Sequence, residues 1–307
     1  MIIGVLINSI ILMASLMLIG YYLRNKGILN DEGESSLIYL LVNITTPAMI
    51  INAMNIDFSV DKLKLGAFLL ALAIGFDILL IFIGNLAAIK TEDNEKKKMI
   101  KYTIVLLNGG FMGFPLAYQI YGTEGMFYAT MFHMPNIIFM WTYGVSILLG
   151  KKKKKNGYKD ILLNPGMIGV YIGLILYFTQ LNLPLFVSNL LNLLTNATTF
   201  LSMIIIGSKI AAIGIKDSFV DKDAYLASFF RLIISPLLMI LLMKFLNLDE
   251  MVEQIYVLYA ALPVAALMPI LAQKYGGDVV LGSKIVVVTH LISLVTIPFF
   301  FWLYTLV

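Results

Sequence analysis

Two short stretches of the chain combine residue types that rarely sit in the middle of apolar sequence. Asn108-Gly-Gly-Phe-Met-Gly-Phe-Pro115 and Pro263-Val-Ala-Ala-Leu-Met-Pro269 each put helix-breaking residues inside a long hydrophobic run. Proline removes a backbone donor and clashes with the preceding turn, and glycine lets the chain leave helical geometry. Each stretch therefore predicts a helix interrupted halfway along. The amides and half-helix N-termini freed by such a break can hold an anion, and the freed carbonyls a cation. Asn108, Gly109, Gly110, Gly113, Pro115, Pro263 and Pro269 are accordingly candidate ligand-binding residues. An ordinary proline kink would explain either stretch alone; the same break twice favours a built site.

A second set consists of polar groups that lipid makes expensive. Asp77 and Arg231 lie deep in apolar runs, and buried charge there costs at least ~2.5 kcal/mol on insertion scales. Asp77 could take up a coupling proton or cation, and Arg231 could attract a carboxylate. A structural ion pair between them is the plainer alternative, as is Arg231 reaching back towards an interface. His133, Asn136 and His290 are further polar groups of this kind, suited to hydrogen bonds between helices; His290 is also a candidate proton carrier. Asn43, Thr45 and Thr46, with Asn196, Thr198 and Thr199, could line a cavity beside the breaks or simply join helices.

The elements that position these residues follow from composition. Hydrophobic residues make up 60% of the 307 and charged ones 13%, an apolar surplus too large for one globular core. The expected fold is an all-α membrane protein. Breaks at charged or Gly/Pro/Asn-rich points give ten spans, at about 2–23, 34–54, 65–89, 100–121, 125–150, 161–180, 185–213, 223–245, 252–274 and 279–305. The odd-numbered loops hold eighteen of the 22 basic residues, among them the run Lys151 to Lys155. By the positive-inside rule these loops are cytoplasmic and both termini extracellular. The lysine run reads as a topology-fixing loop, with a lipid- or nucleic-acid-binding patch as the lesser alternative. It divides the chain into 1–150, a basic linker 151–160, and 161–307.

The two halves match each other. A shift of 154 residues sets Pro115 on Pro269, Gln119 on Gln273, Tyr121 on Tyr275, Gly122 on Gly276, Asp77 on Arg231 and Asn136 on His290. A shift of 153 sets Asn43-Ile-Thr-Thr46 on Asn196-Ala-Thr-Thr199. Five spans per half is an odd number, so the second copy is expected upside down, as in many secondary transporters. Several chemistries find no support. The chain has no cysteine and two histidines, no Walker-type loop, and neither a His-Glu-x-x-His nor a Gly-x-Ser-x-Gly motif. An enzyme, a metal site, an organic cofactor and a nucleic-acid partner are therefore not expected.

Asn108 with Met112-Gly113-Phe114-Pro115-Leu116 resembles the Asn-x3-Met-Gly-Ile-Pro-Leu of the auxin efflux carrier family, within the wider bile acid and auxin carrier group. Ala260-Ala-Leu-Pro263 with Pro269 resembles that family's second break. Asn164-Pro165, Ile172-Gly173-Leu174, Leu183-Pro184 and Pro47 also fall on its pattern, so the resemblance covers the whole chain. It implies a scaffold domain and a transport domain, fourth and ninth helices crossing at their prolines, and a carboxylate held near Asn108. It also implies an aspartate in the third span, a position Asp77 approximates, and a homodimer. The chain departs from the plant carriers by one extra residue between the prolines of the second break and by a short central loop. The expectation is thus a PIN-like transporter in the cell membrane that moves small mono- or dicarboxylates by alternating access, with H+ or Na+ as possible coupling ions. A Na+-coupled symporter of the bile-acid type and a membrane sensor that binds without transporting are the competing readings.

Overall fold

The computed structural model describes residues 2–150, 163 and 165–306, so the lysine run, the linker 151–160 and Asn164 lie outside the described residues. All regular elements among the described residues are helical. The first three helices are α1 (Ile2–Asn25), α2 (Asp31–Met54) and α3 (Val60–Ala87). Next comes α4 (Asn94–Val105), which stops at an extended segment. The helical stretch Gly109–Leu149 that follows is split by Gly122, whose φ of 65° and ψ of −151° no helix accommodates. Its parts are α5 (109–121) and α6 (123–149). The second half contains α7 (Pro165–Thr179), α8 (Leu185–Ile213), α9 (Lys222–Leu246), α10 (Glu250–Ala260), α11 (Met268–Tyr275) and α12 (Val279–Leu306).

Seven helices among the described residues are long and apolar enough to cross a membrane. They include α1, α2, α3, α8, α9, α12 and the joined α5 and α6. The run expected at 252–274 is two short helices, α10 and α11, and the one expected at 100–121 is α4 followed by α5. Charged caps lie at the outer ends of the helices, where water can reach them. Asp93 accepts from the amides of Glu95 and Lys96, Asp221 from those of Asp223 and Ala224, and Asp249 from Met251.

Three prolines inside the spans share a local effect. Pro47, Pro115 and Pro236 each follow a π-helical turn, at Leu41–Thr45, Gly109–Gly113 and Phe230–Ile234. The ring cannot coexist with a tight preceding turn, so the helix widens by one residue and shifts which side chains share a face.

Glycine decides how the helices associate. A Cβ on Gly20 in α1 would lie 2.2 Å from the Ile204 carbonyl oxygen in α8, and one on Gly207 would lie 1.9 Å from that of Met17. A Cβ on Gly169 in α7 would lie 2.9 Å from Pro47 Cα in α2. Such close backbone approach is how helices gain packing energy in lipid, where the hydrophobic effect gives none. α1 and α2 thus associate with α8 and α7, while α3, α4, α5 and α6 pack with α9, α10, α11 and α12 into a second group. Within the second group, Lys96 in α4 pairs with Asp223 at 2.7 Å and Lys284 in α12 with Asp221 at 3.2 Å.

Candidate functional site

The two breaks meet. Asn108 donates its backbone N–H to the Pro263 carbonyl at 2.8 Å, and Ala265 donates to Leu106 at 3.0 Å, with Leu107 and Val264 forming an antiparallel bridge. Backbone that has left its helix must find partners inside the protein, and here each break supplies them to the other. Asn136 from α6 completes the first break. Its Oδ1 accepts from Leu107 N at 3.3 Å, and its Nδ2 donates to the Val105 carbonyl at 2.9 Å and to Asp77 Oδ1 at 3.1 Å. Asp77 is buried, and its Oδ2 has no hydrogen-bond partner.

Arg231 supports the opposite side of the same junction. Its guanidinium, fully buried, donates to the carbonyls of Ile104, Tyr259, Ala260 and Leu262 at 2.8 to 3.2 Å. These carbonyls belong to the C-terminal ends of α4 and α10, where a helix carries partial negative charge. Arg231 therefore neutralises two helix ends and is not among the residues lining the cavity at the junction, so the structure does not bring it to the position of a carboxylate anchor there. The ion pairs of the described residues do not include Asp77 with Arg231.

On the other side of the junction lies a cavity of about 110 Å³. One water-sized site needs roughly 10–15 Å³ by this measure, so a small organic molecule fits. Leu107, Asn108, Gly110 and Phe111 form one wall, and Ala265, Ala266 and Leu267 another. The remainder comes from Val42 and Thr46 of α2, from His133, Asn136, Ile137, Met140 and Trp141 of α6, and from Pro165 and Gly166 of α7. The cavity thus sits where the two helix groups meet. Among the described residues, no Asp, Glu, Lys or Arg lines it. Besides the polar side chains of Thr46, Asn108, His133 and Asn136, its polarity comes from the start of α5, whose first amides have no carbonyl one turn earlier to bond, and from the N-terminal end of α11, where Met268 already bonds the Ala265 carbonyl at 3.0 Å and Pro269 has no N–H. Two helix N-termini facing one apolar recess make it hospitable to negative charge.

The remaining candidates fall into three places. Gly109 and Gly113 hold the walls together without lining them: a Cβ on Gly109 would lie 2.3 Å from His133 Nδ1, and one on Gly113 2.6 Å from Leu262 Cδ1. Pro115 and Pro269 sit in the first turns of α5 and α11. His290, fully buried, stands behind Asn108, with its Nε2 2.8 Å from Asn108 Nδ2. Asn196 and Thr199 lie elsewhere, in a more open recess of about 780 Å³ with Tyr118, Gln119 and Gly122. Asn43 is exposed and bonds the Tyr39 carbonyl, while Thr45 and Thr198 bond carbonyls of their own helices. The apolar lining residues Phe111, Ile137, Met140 and Trp141 carry no signal that separates them from the other aromatic and aliphatic residues of the spans. His133, one of the polar groups singled out in the sequence, does line the cavity.

Apolar helices in this number, two of them broken around a buried site, define a multi-pass membrane protein of the transporter type. The chain matches the membrane transport protein family over residues 5–160 and 155–301. It belongs to that family, the auxin efflux carriers that its break motifs resemble. It is similar to an uncharacterized transporter of Methanocaldococcus jannaschii, at 27% identity over 308 residues, covering 96% of this chain and 98% of that one. It is also similar to an uncharacterized transporter of Methanothermobacter thermautotrophicus, at 26% identity over 295 residues, covering 92% and 93%.

Proposed function

We propose that the chain is a secondary or facilitative transporter of small organic anions, mono- or dicarboxylates, working by alternating access at the cell membrane. The observation that carries this reading is the cavity at the paired breaks, where two helix N-termini, and no acidic side chain among the described residues, face a space of small-molecule size. In this reading α4 with α5, and α10 with α11, are the fourth and ninth of ten spans, crossing at the breaks. The spans form two inverted repeats, 1–150 and 161–307, with both termini outside. Matched conformations support the repeat: Gly122 and Gly276, which the 154-residue shift aligns, both have positive φ, 65° and 105°, and both end a half-helix.

The cavity and the recess around Asn196 and Thr199 lie towards opposite ends of α5, as the two access routes of an alternating carrier would. α1, α2, α7 and α8 serve as the scaffold, the natural surface for a homodimer, and the other helices as the moving part. Asp77 and His290, in hydrogen-bonded contact with the first break through Asn136 and Asn108, are where a coupling H+ or Na+ would act.

Counterflow of labelled carboxylates in proteoliposomes tests the proposal. Exchange of at least one short carboxylate is expected, and Asn108→Ala should weaken its binding about tenfold or more while the protein stays folded. Binding without any counterflow would make the chain a sensor instead. Unchanged affinity in Asn108→Ala would move the site away from the breaks.

A further inference from the structure

The orientation of one amide narrows the substrate class, on the reading that the cavity is an anion site. His290 Nδ1 lies 2.7 Å from the Val286 carbonyl, which can only accept a hydrogen bond, so Nδ1 carries the hydrogen. The neutral ring's Nε2 is then an acceptor, and the Asn108 atom 2.8 Å away must be the donating Nδ2. This fixes the amide the other way round at its far end. Asn108 is 4% exposed and lines the cavity. Its Oδ1 has no partner among the described residues and is not among their enclosed unpaired atoms, so it is open to the cavity. The cavity's one asparagine with a free end therefore offers a lone pair, since the amide of Asn136 is bonded at both ends. A bare carboxylate placed against Asn108 Oδ1 meets acceptor with acceptor.

We infer that the site selects a short carboxylate bearing a hydroxyl on the adjacent carbon: the carboxylate faces the amides at the start of α5, beside the N-terminal end of α11, and the hydroxyl donates to Asn108 Oδ1. His290 is the positioning residue, acting through Asn108 without touching the ligand. Buried polar groups left unpaired discriminate strongly against an analogue that lacks the matching group, whereas extra apolar contact discriminates weakly. A hydroxyl is therefore the feature this site reads best.

Matched acids test the inference on purified protein: lactate against propionate, and malate against succinate, each titrated by thermal shift and by competition with a labelled acid. The hydroxy acid of at least one pair is expected to bind about tenfold more tightly than its deoxy partner. Equal binding within each pair, or preference for the deoxy acid, overturns the hydroxyl assignment and leaves the anion site standing. If no acid of either pair binds, the inference fails together with the anion reading. In His290→Phe the amide is free to turn its Nδ2 into the cavity, so the preference should fall to about twofold or less while carboxylate binding persists. A preference that survives in folded His290→Phe removes His290 from the mechanism. The wild-type ranking decides the hydroxyl assignment even if that variant does not fold.

Discussion

The two helix breaks share a backbone course but not a means of support. The first, between α4 and α5, is wired by side-chain amides: Asn136 holds Val105 and Leu107, and Asn108 is held by His290. The second, between α10 and α11, has only apolar side chains from Ala260 to Met268 apart from its proline, and is held by the Arg231 guanidinium on the carbonyls of Tyr259, Ala260 and Leu262. The difference separates two jobs. A guanidinium offers only donors, and those of Arg231 are engaged by backbone carbonyls at the helix ends. An amide both donates and accepts, so the first break keeps polar capacity to spare for a ligand. On the proposed reading, ligand chemistry would thus be concentrated at the first break, and the second would supply backbone and dipole.

This contrast makes its largest prediction at Arg231. Arg231→Met would take a donor from four buried carbonyls, of which Ala260 keeps Ser235 and Tyr259 keeps the Leu262 amide, at a cost on the order of 3–5 kcal/mol. A steep loss of thermal stability in detergent is expected, and a wild-type melting temperature would show that the second break does not depend on this residue. A smaller effect, chiefly on binding, is expected at Gly109. There a Cβ would press on the His133 ring, which Phe114 backs edge-on at 5.3 Å. Gly109→Ala should cost about 1–3 kcal/mol of overpacking and lower carboxylate affinity, with partial rescue in Gly109→Ala/His133→Ala. Lack of rescue would place the damage in the backbone and not in the wall. The smallest effect on the fold is expected for Asp77→Asn, which keeps an oxygen for Asn136 and removes the charge. Counterflow should persist while uphill transport driven by an ion gradient falls; unchanged uphill transport at every pH would reduce Asp77 to a support for Asn136.

Much of this arrangement was legible in the sequence, because proline and glycine act locally. Asn108 to Pro115 and Pro263 to Pro269 marked both breaks, and Gly122 and Gly276 marked the ends of the half-helices. What local patterns do not carry is which way a side chain faces after an irregular turn. Asn43 and Thr46, three apart, would share a face of a regular helix, yet the π-helical turn at Leu41–Thr45 leaves Asn43 exposed and puts Thr46 on the cavity. Asn196 and Thr199 repeat the same sequence pattern without that turn, in the unbroken helix α8, and reach a different recess. Arg231 misled for another reason. Its charge suggested an external anion, but the nearest negative charge in the folded chain is the protein's own, spread over helix ends that exist only once the breaks have formed. Several helix starts lie before the sequence-based bounds, by six residues at Asn94 and five at Val60, where Asp93 and Ser59 caps extend the helix beyond its apolar stretch, whereas α3 ends two residues early at Ala87.

The bridge between Leu107 and Val264 has a mechanical consequence. Because Asn108 and Ala265 donate across it in opposite directions, the breaks form a clasp that neither half can open without leaving polar backbone bare in lipid. In the proposed alternating-access reading, cargo held there would travel with the clasp closed, carried by the gliding of one whole helix group past the other. The amide hydrogens of Asn108 and Ala265 should then be among the slowest in the molecule to exchange with water, even while the protein is turning over.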